Sequence, residues 1–187
     1  MLTRRAALAG FLPAAFAPVR RIVVSTRPYP VLAYGDVRLA CVVGRGGVRR
    51  DKLEGDGATP AGAFALRRVL YRADRMAPVA SGLPVAALRP NDGWSDDPED
   101  PGYNGLVSLP SRRHHEAMWR ADHLYDVVIV IGYNDAPVVP NRGSAIFLHV
   151  SEPGMTGTDG CVAIPLAGIV RLAGLCDTAT VIEIRNE

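Results

Sequence analysis

The stretch YDVVIVIGY, Tyr125 to Tyr133, holds five consecutive apolar residues between Asp126 and Gly132. Strict alternation of apolar and polar residues would mark a strand with one wet face. A continuous, β-branched run this short marks a strand covered on both faces. The segment Ala145 to Val150 reads as a second strand. On the N-terminal side, Ile22 to Ser25 is short and β-branched, and Val37 to Val43 sets Val37, Leu39, Cys41 and Val43 on one face. Phe64, Leu66 and Val69 suggest a strand that bends near its end. At the C-terminal side, Val181, Ile182 and Ile184 in TATVIEIR predict a final strand. One or two short helices are expected. One opens at Pro165, with Ile169, Leu172 and Leu175 as its apolar face, and one spans Ser111 to Trp119 with Ser111 as cap. The fold class is mainly β (α+β), with one or two short helices.

Composition agrees with that class. The chain of 187 residues is long enough for one domain with a real core, and its 19 glycines and 15 prolines favour a loop-rich β protein. A net charge of +2, with no basic run interleaved with aromatics, gives no case for nucleic acid as a partner. MLTRRAALAGFLPAAFAP has the layout of an export signal: Arg4 and Arg5, then an apolar stretch, then Ala15-Phe16-Ala17 as a cleavage end. Thr3-Arg4-Arg5 also matches a twin-arginine signal. Cleaving residues 1–17 removes two arginines and no acid, so residues 18–187 form a neutral domain. No other stretch is long and apolar enough to span a membrane, so no stable membrane insertion is expected after cleavage. With three cysteines, at least one is unpaired. Cys41 and Cys176 lie in apolar runs and read as buried hydrophobes, although a bridge between them is compatible with the sequence.

Two segments resist periodic reading. GRGGVRRDKLEGDGATPAG, residues 44–62, is a turn-rich loop with a strong turn signal at Asp56-Gly57. Residues 73–122 form a long irregular excursion, the kind of segment that often carries function. Its acids, among them Asp92, Asp96 and Asp100, lack the ligand spacing of a calcium loop. Adjacent His114 and His115 read as surface residues.

The chemistry points to FLHVSEPGMTGTDGCVAIP, residues 147–165, where one of four histidines and one of three cysteines share a loop's reach. A nucleophilic cysteine needs a base to make thiolate at neutral pH, and a nearby imidazole supplies it. His149 ends a strand on the face opposite Leu148 and Val150, and the turn formers that follow bring Cys161 back beside it. Gly160 admits substrate close to the backbone, and N–H groups at Gly160 and Cys161 are candidates for an oxyanion hole. Asp159 or a backbone carbonyl would orient the imidazole. Zinc would need three or four ligands, and no C-x-x-C or H-x-x-x-H partner exists. A buried-core role suits Cys161 poorly, between Gly160 and Val162 after a polar loop. What such a pair attacks does not follow from two residues.

The sequence resembles the L,D-transpeptidases with a YkuD-type catalytic domain. That family carries a histidine and then, across a loop, Ser/Thr-His-Gly-Cys; this chain has His149 and then Thr158-Asp159-Gly160-Cys161. GRGGV (44–48), KLEGDGATPAG (52–62), GYN (132–134) and RGSAIFLHV (142–150) are similar to one branch of it. The resemblance implies a β-sandwich-like catalytic domain, no metal and no organic cofactor. It implies an exported enzyme whose partners are the donor and acceptor peptide stems of peptidoglycan. Cys161 would form a thioester with a stem, His149 would move protons, and the carbonyl of Val150 would orient His149. An amine of a second stem would then complete a 3–3 or 1–3 cross-link. Asp159 replaces the motif's histidine, Ala163 lies where the pattern after the cysteine also breaks, and the loop from His149 to Cys161 is shorter than in the commonest members. These departures put the choice of stems in question more than the nucleophile. Candidate substrate contacts are Tyr133, Asn134, Arg142, Ser144 and Asp159, followed by Lys52, Glu54, Asp56 and Thr59. Trp94, Asp96, Tyr103 and Asn104 are candidates to roof the groove. The competing classes are a stem carboxypeptidase or hydrolase, which yields cleaved stems without dimers, and a catalytically silent wall-binding module.

Overall fold

The computed structural model describes residues 20–187, so the expected export signal at 1–17 lies outside the described residues. From the N-terminal side come β1 (Arg21–Ser25), β2 (Val31–Tyr34), β3 (Val37–Ala40), β4 (Val48–Arg49), β5 (Thr59–Pro60) and β6 (Gly62–Tyr71). The excursion carries β7 (Val85–Ala87), β8 (Asp92–Ser95), β9 (Leu106–Ser108) and β10 (His115–Ala117). Then follow β11 (Val127–Ile131), β12 (Phe147–Val150), β13 (Val162–Ile164), the helix α1 (Leu166–Leu175) and β14 (Val181–Ile184).

Nine strands make one sheet in the order β13-β12-β11-β6-β14-β1-β2-β3, with β7 beside β6. Beyond β3, Val42 and Ala163 exchange two backbone hydrogen bonds of 2.8 Å. That bridge ties the far edge back to β13 and bends the sheet toward a closed barrel, which protects edges that would otherwise stay unpaired. The apolar run of YDVVIVIGY becomes β11, and all five of its residues are buried. Val127, Ile129 and Ile131 enter the main core with Leu148, Ile164, Ile169 and Leu172. Val128 and Val130 enter a second core with Phe147, Trp94 and Met118. Part of that second cover is the small sheet β10-β8-β9, built from the excursion. The result is the expected mainly β, sandwich-like architecture with a single helix among the described residues.

Phe147 joins the two halves of the second core. It is fully buried, with its ring edge-on to Trp94 at 5.0 Å and to Tyr125 at 5.9 Å. Phe147→Ala should cost about 3–5 kcal/mol, the usual toll for emptying a buried aromatic site. Urea unfolding measures it, and a loss below about 1 kcal/mol would show that the small sheet does not depend on this contact.

Two expectations are corrected. Ser111–Trp119 is not helical: it holds β10, which pairs with β8 through His115–Ser95 and Ala117–Gly93. A nine-residue helix is marginal on its own, and the open edge of β8 supplies backbone partners instead. In α1 the buried face is Gly168, Ile169, Leu172 and Ala173, while Leu175 is exposed. Leu175 ends the helix, and its carbonyl receives hydrogen bonds from Arg20 and Tyr34, which holds that residue at the surface. Cys41 and Cys176 are both buried free thiols, with no bridge between them. Among the described residues no helix is long and apolar enough to cross a membrane.

Candidate functional site

Strand alternation and one parallel pairing build the site. Along β12, Leu148 and Val150 enter the main core, while Phe147 and His149 face the other way. β13 runs parallel to β12, with Leu148 opposite Val162 and His149 opposite Ala163. Parallel neighbours require the chain to run back before the second strand starts. Residues 151–160 make that return, which is why turn formers fill them. Cys161, one residue before β13, therefore arrives two positions upstream of His149. Its Sγ accepts a hydrogen bond from the Phe147 N–H at 3.3 Å and donates to the Ala145 carbonyl at 3.2 Å. Ala145 is itself held in a left-handed conformation (φ 52°) by Asn104, whose Oδ1 accepts from the Ala145 N–H and from Trp94 Nε1, both at 3.1 Å.

The turn before Cys161 is fixed by hydroxyls. Thr158 and Thr59 both donate to the Cys161 carbonyl, at 2.7 and 3.2 Å, and the Gly160 N–H donates to Thr158 Oγ1 at 3.2 Å. The Gly160 N–H is therefore already engaged. Gly160 has φ +126°, and a Cβ there would lie 2.8 Å from the Ala58 carbonyl oxygen. Glycine meets both demands, since L side chains avoid that backbone region. Gly160→Ala should lose about 1–3 kcal/mol to backbone strain alone and displace the thiol. A thermal melt within 1 °C of wild type would contradict this reading (that margin is roughly 0.3 kcal/mol).

His149 is 3% exposed, and its Nδ1 lies 2.8 Å from the Val150 carbonyl. A carbonyl can only accept, so Nδ1 carries the proton and Nε2 keeps its lone pair. The Tyr125 ring meets the imidazole edge-on at 5.4 Å. Burial, more than any neighbour, lowers the imidazole pKa to about 4. Burial likewise pushes the Cys161 thiol well above its ordinary value, with Glu116 adding to the effect. The resting pair is thus a neutral thiol and a neutral imidazole.

His149 and Cys161 line one open cleft of about 480 Å³. Ser144 and Asp159 share its wall with Glu54, Asp96, His114, Glu116, Arg120 and Tyr125. Asp159 is highly exposed at the rim, where it pairs with Arg45. Ser144 donates to Glu54 Oε2 at 2.7 Å, and Tyr103 donates to the same carboxylate. Tyr133, Asn134 and Arg142 sit behind the cleft rather than on its wall. The Tyr133 hydroxyl donates to the Arg142 carbonyl, and Asn134 (φ 51°) bonds the Val139 and Gly143 carbonyls at 2.9 Å. These are turn-forming contacts, and the same chemistry that suggested ligand binding holds the β11–β12 connection. Asp56 and Thr59 likewise hold turns, and Lys52 is buried away from the cleft. Trp94 and Asn104 are buried supports, so of the four candidate roof residues only Asp96 lines the cleft. Glu116, Arg120 and Tyr125 join the cleft without a sequence signal, because the His-Glu-Ala of β10 has no strand pattern and Tyr125 opens a core strand. A larger groove of about 740 Å³ beside Arg49 and Arg185 contains neither thiol nor imidazole. Among the described residues no three His, Cys, Asp or Glu side chains gather to hold a metal ion.

The Cys161 thiol, one residue before β13, and the His149 imidazole on neighbouring β12 open into one cleft of a mainly β domain. The family model for the YkuD L,D-transpeptidase catalytic domain matches residues 20–184, and the chain belongs to that family. It is also similar to an L,D-transpeptidase from Mycobacterium smegmatis, at 11% identity and a TM-score of 0.39. That similarity covers 89% of this chain and 58% of the mycobacterial one. No curated protein matches the chain.

Proposed function

We propose that this chain is an exported peptidoglycan L,D-transpeptidase that works through an acyl-enzyme at Cys161. The observation that carries the reading is the convergence of Cys161 and an Nδ1-protonated His149 on one cleft in a member of the YkuD family. When a donor stem enters, water leaves, and the Cys161 sulfur attacks the carbonyl beside the stem's diamino-acid centre. The thiol proton passes to His149 Nε2 as the C–S bond forms. The oxyanion is held by the Cys161 N–H, since the Gly160 N–H already serves Thr158. Collapse expels the terminal residue, whose amine takes the proton from His149, and a thioester remains. An acceptor amine then attacks, His149 receives its proton, and the thiol is restored as the cross-link forms.

Ser144 and Asp159 on the cleft wall are assigned to stem binding, and the product is a 3–3 or 1–3 linkage. The reaction belongs outside the cytoplasm, in keeping with the signal read in residues 1–17. Incubation with purified muropeptides and fragmentation of the products tests this reading. Dimers with a 3–3 or 1–3 bond support it; cleaved stems without dimers assign a hydrolase, and unchanged muropeptides assign a silent module.

A further inference from the structure

Lys52 is 2% exposed and is among the largest fully buried side chains of the described residues. Its Nζ donates to Asp56 Oδ1 at 2.8 Å and to the Leu53 carbonyl at 3.3 Å, two acceptors for three N–H groups. Asp56 is pinned in turn by the N–H groups of Leu53 and Ala58, at 2.9 and 2.8 Å. The lysine stem runs against Gly143, where a Cβ would come within 2.7 Å of Lys52 Cε. The ammonium ends against Gly160, 3.5 Å from where a Cβ would stand. It therefore lies against the backbone one residue before Cys161, and Lys52 is not among the residues that line the cleft. No side chain intervenes at Gly143 or Gly160.

Stability does not explain that placement. A buried ion pair is often no more stabilising than well-packed apolar residues of the same volume. The charges around Cys161 suggest what it does. Glu116 on the cleft wall and Asp159, exposed at the rim and paired with Arg45, disfavour an anion at Cys161, while the Phe147 N–H and Lys52 favour one. Tyr125 and the neutral His149 complete the near surroundings, and Glu54, Asp96 and His114 lie further along the cleft wall. Arg120, on the same wall, is held by Asp122 at 2.6 Å. We propose that Lys52 is a positioning residue for the acyl transfer. Its buried ammonium, braced by Asp56 against the Gly160 backbone, supplies a fixed positive charge that stabilises the anionic sulfur and the oxyanion formed at Cys161. Lys52 touches no substrate and transfers no proton. The inference rests on Cys161 being the nucleophile.

The test is the pH dependence of Cys161 alkylation by iodoacetamide in the full chain, read by peptide-resolved mass so that Cys41 and Cys176 are counted apart. Lys52→Met combined with Asp56→Asn removes the pair without leaving a lone buried charge. The alkylation midpoint should then move to higher pH, and the rate at neutral pH should fall roughly tenfold. Asp56→Asn alone leaves the cation without its counter-charge, and the midpoint should move to lower pH. Opposite shifts support the proposal, since simple loosening of the turn would move both variants the same way. Profiles that superimpose on wild type, or that shift in one direction, overturn it. Should the double variant not fold, an unshifted or raised midpoint in Asp56→Asn overturns it alone. Alkylation needs no stem, so failure here is distinguishable from failure of Cys161 to be acylated by a stem peptide.

Discussion

Cys161→Ala leaves a folded protein whose cross-linking rate falls by at least about 10⁴-fold, to background. The fold survives because the change is small and local. Sγ has two weak polar contacts, with the Phe147 N–H and the Ala145 carbonyl, whose loss costs on the order of 1 kcal/mol. Activity does not survive, because no other thiol reaches the cleft: Cys41 and Cys176 lie in the main core, on the far side of the sheet. Cys41 is further disabled by burial, which lifts its pKa to about 12. Muropeptide turnover beside a melting curve checks both halves, and residual activity within tenfold of wild type would remove Cys161 from the mechanism.

His149→Gln should reduce acylation by roughly 10²–10⁴-fold, the usual worth of a positioned general base. It should also alter the acid stability of the protein, and the sign follows from linkage. The imidazole titrates at about 4 when folded and near its ordinary 6.5 when unfolded. As pH falls through that window the unfolded chain takes up a proton that the folded chain refuses, so the native state loses stability. Above about 6.5 neither form is protonated and the loss is absent. Over the whole window it amounts to on the order of 3 kcal/mol in wild type and is missing in His149→Gln. Carboxylates titrate at the lower end in both proteins, so the difference between the two urea-unfolding series isolates the histidine. Parallel series across pH 7 to 4 would mean that His149 is not held neutral by burial.

The parts of this fold that were legible in the chain are those whose neighbours are dictated by local pattern. β11 and β12 could be read because a buried strand is apolar whatever its partners, and the placement of His149 opposite Leu148 and Val150 followed from alternation alone. β10 could not be read, because its three residues, His-Glu-Ala, have no strand signature. They pair with β8 because that edge is open, a demand set across the fold rather than along the chain. The candidate substrate contacts divide for the same reason. Ser144 and Asp159 reach the cleft wall, whereas Tyr133, Asn134 and Arg142 are spent on a turn, and polar residue type does not separate a ligand contact from a turn contact. Lys52 shows the gap most clearly. A lysine in a glycine-rich loop suggests a solvated, substrate-facing charge, yet glycines at 143 and 160 leave a channel that draws it inside.

The central claim, a thioester at Cys161, is tested most directly by intact mass after incubation with a stem tetrapeptide whose free amines are acetylated, so that no acceptor is present. Wild type should gain the mass of the stem less its terminal residue, and Cys161→Ala should gain nothing. An adduct that persists in Cys161→Ala, or stem dimers formed by that variant, would contradict the account.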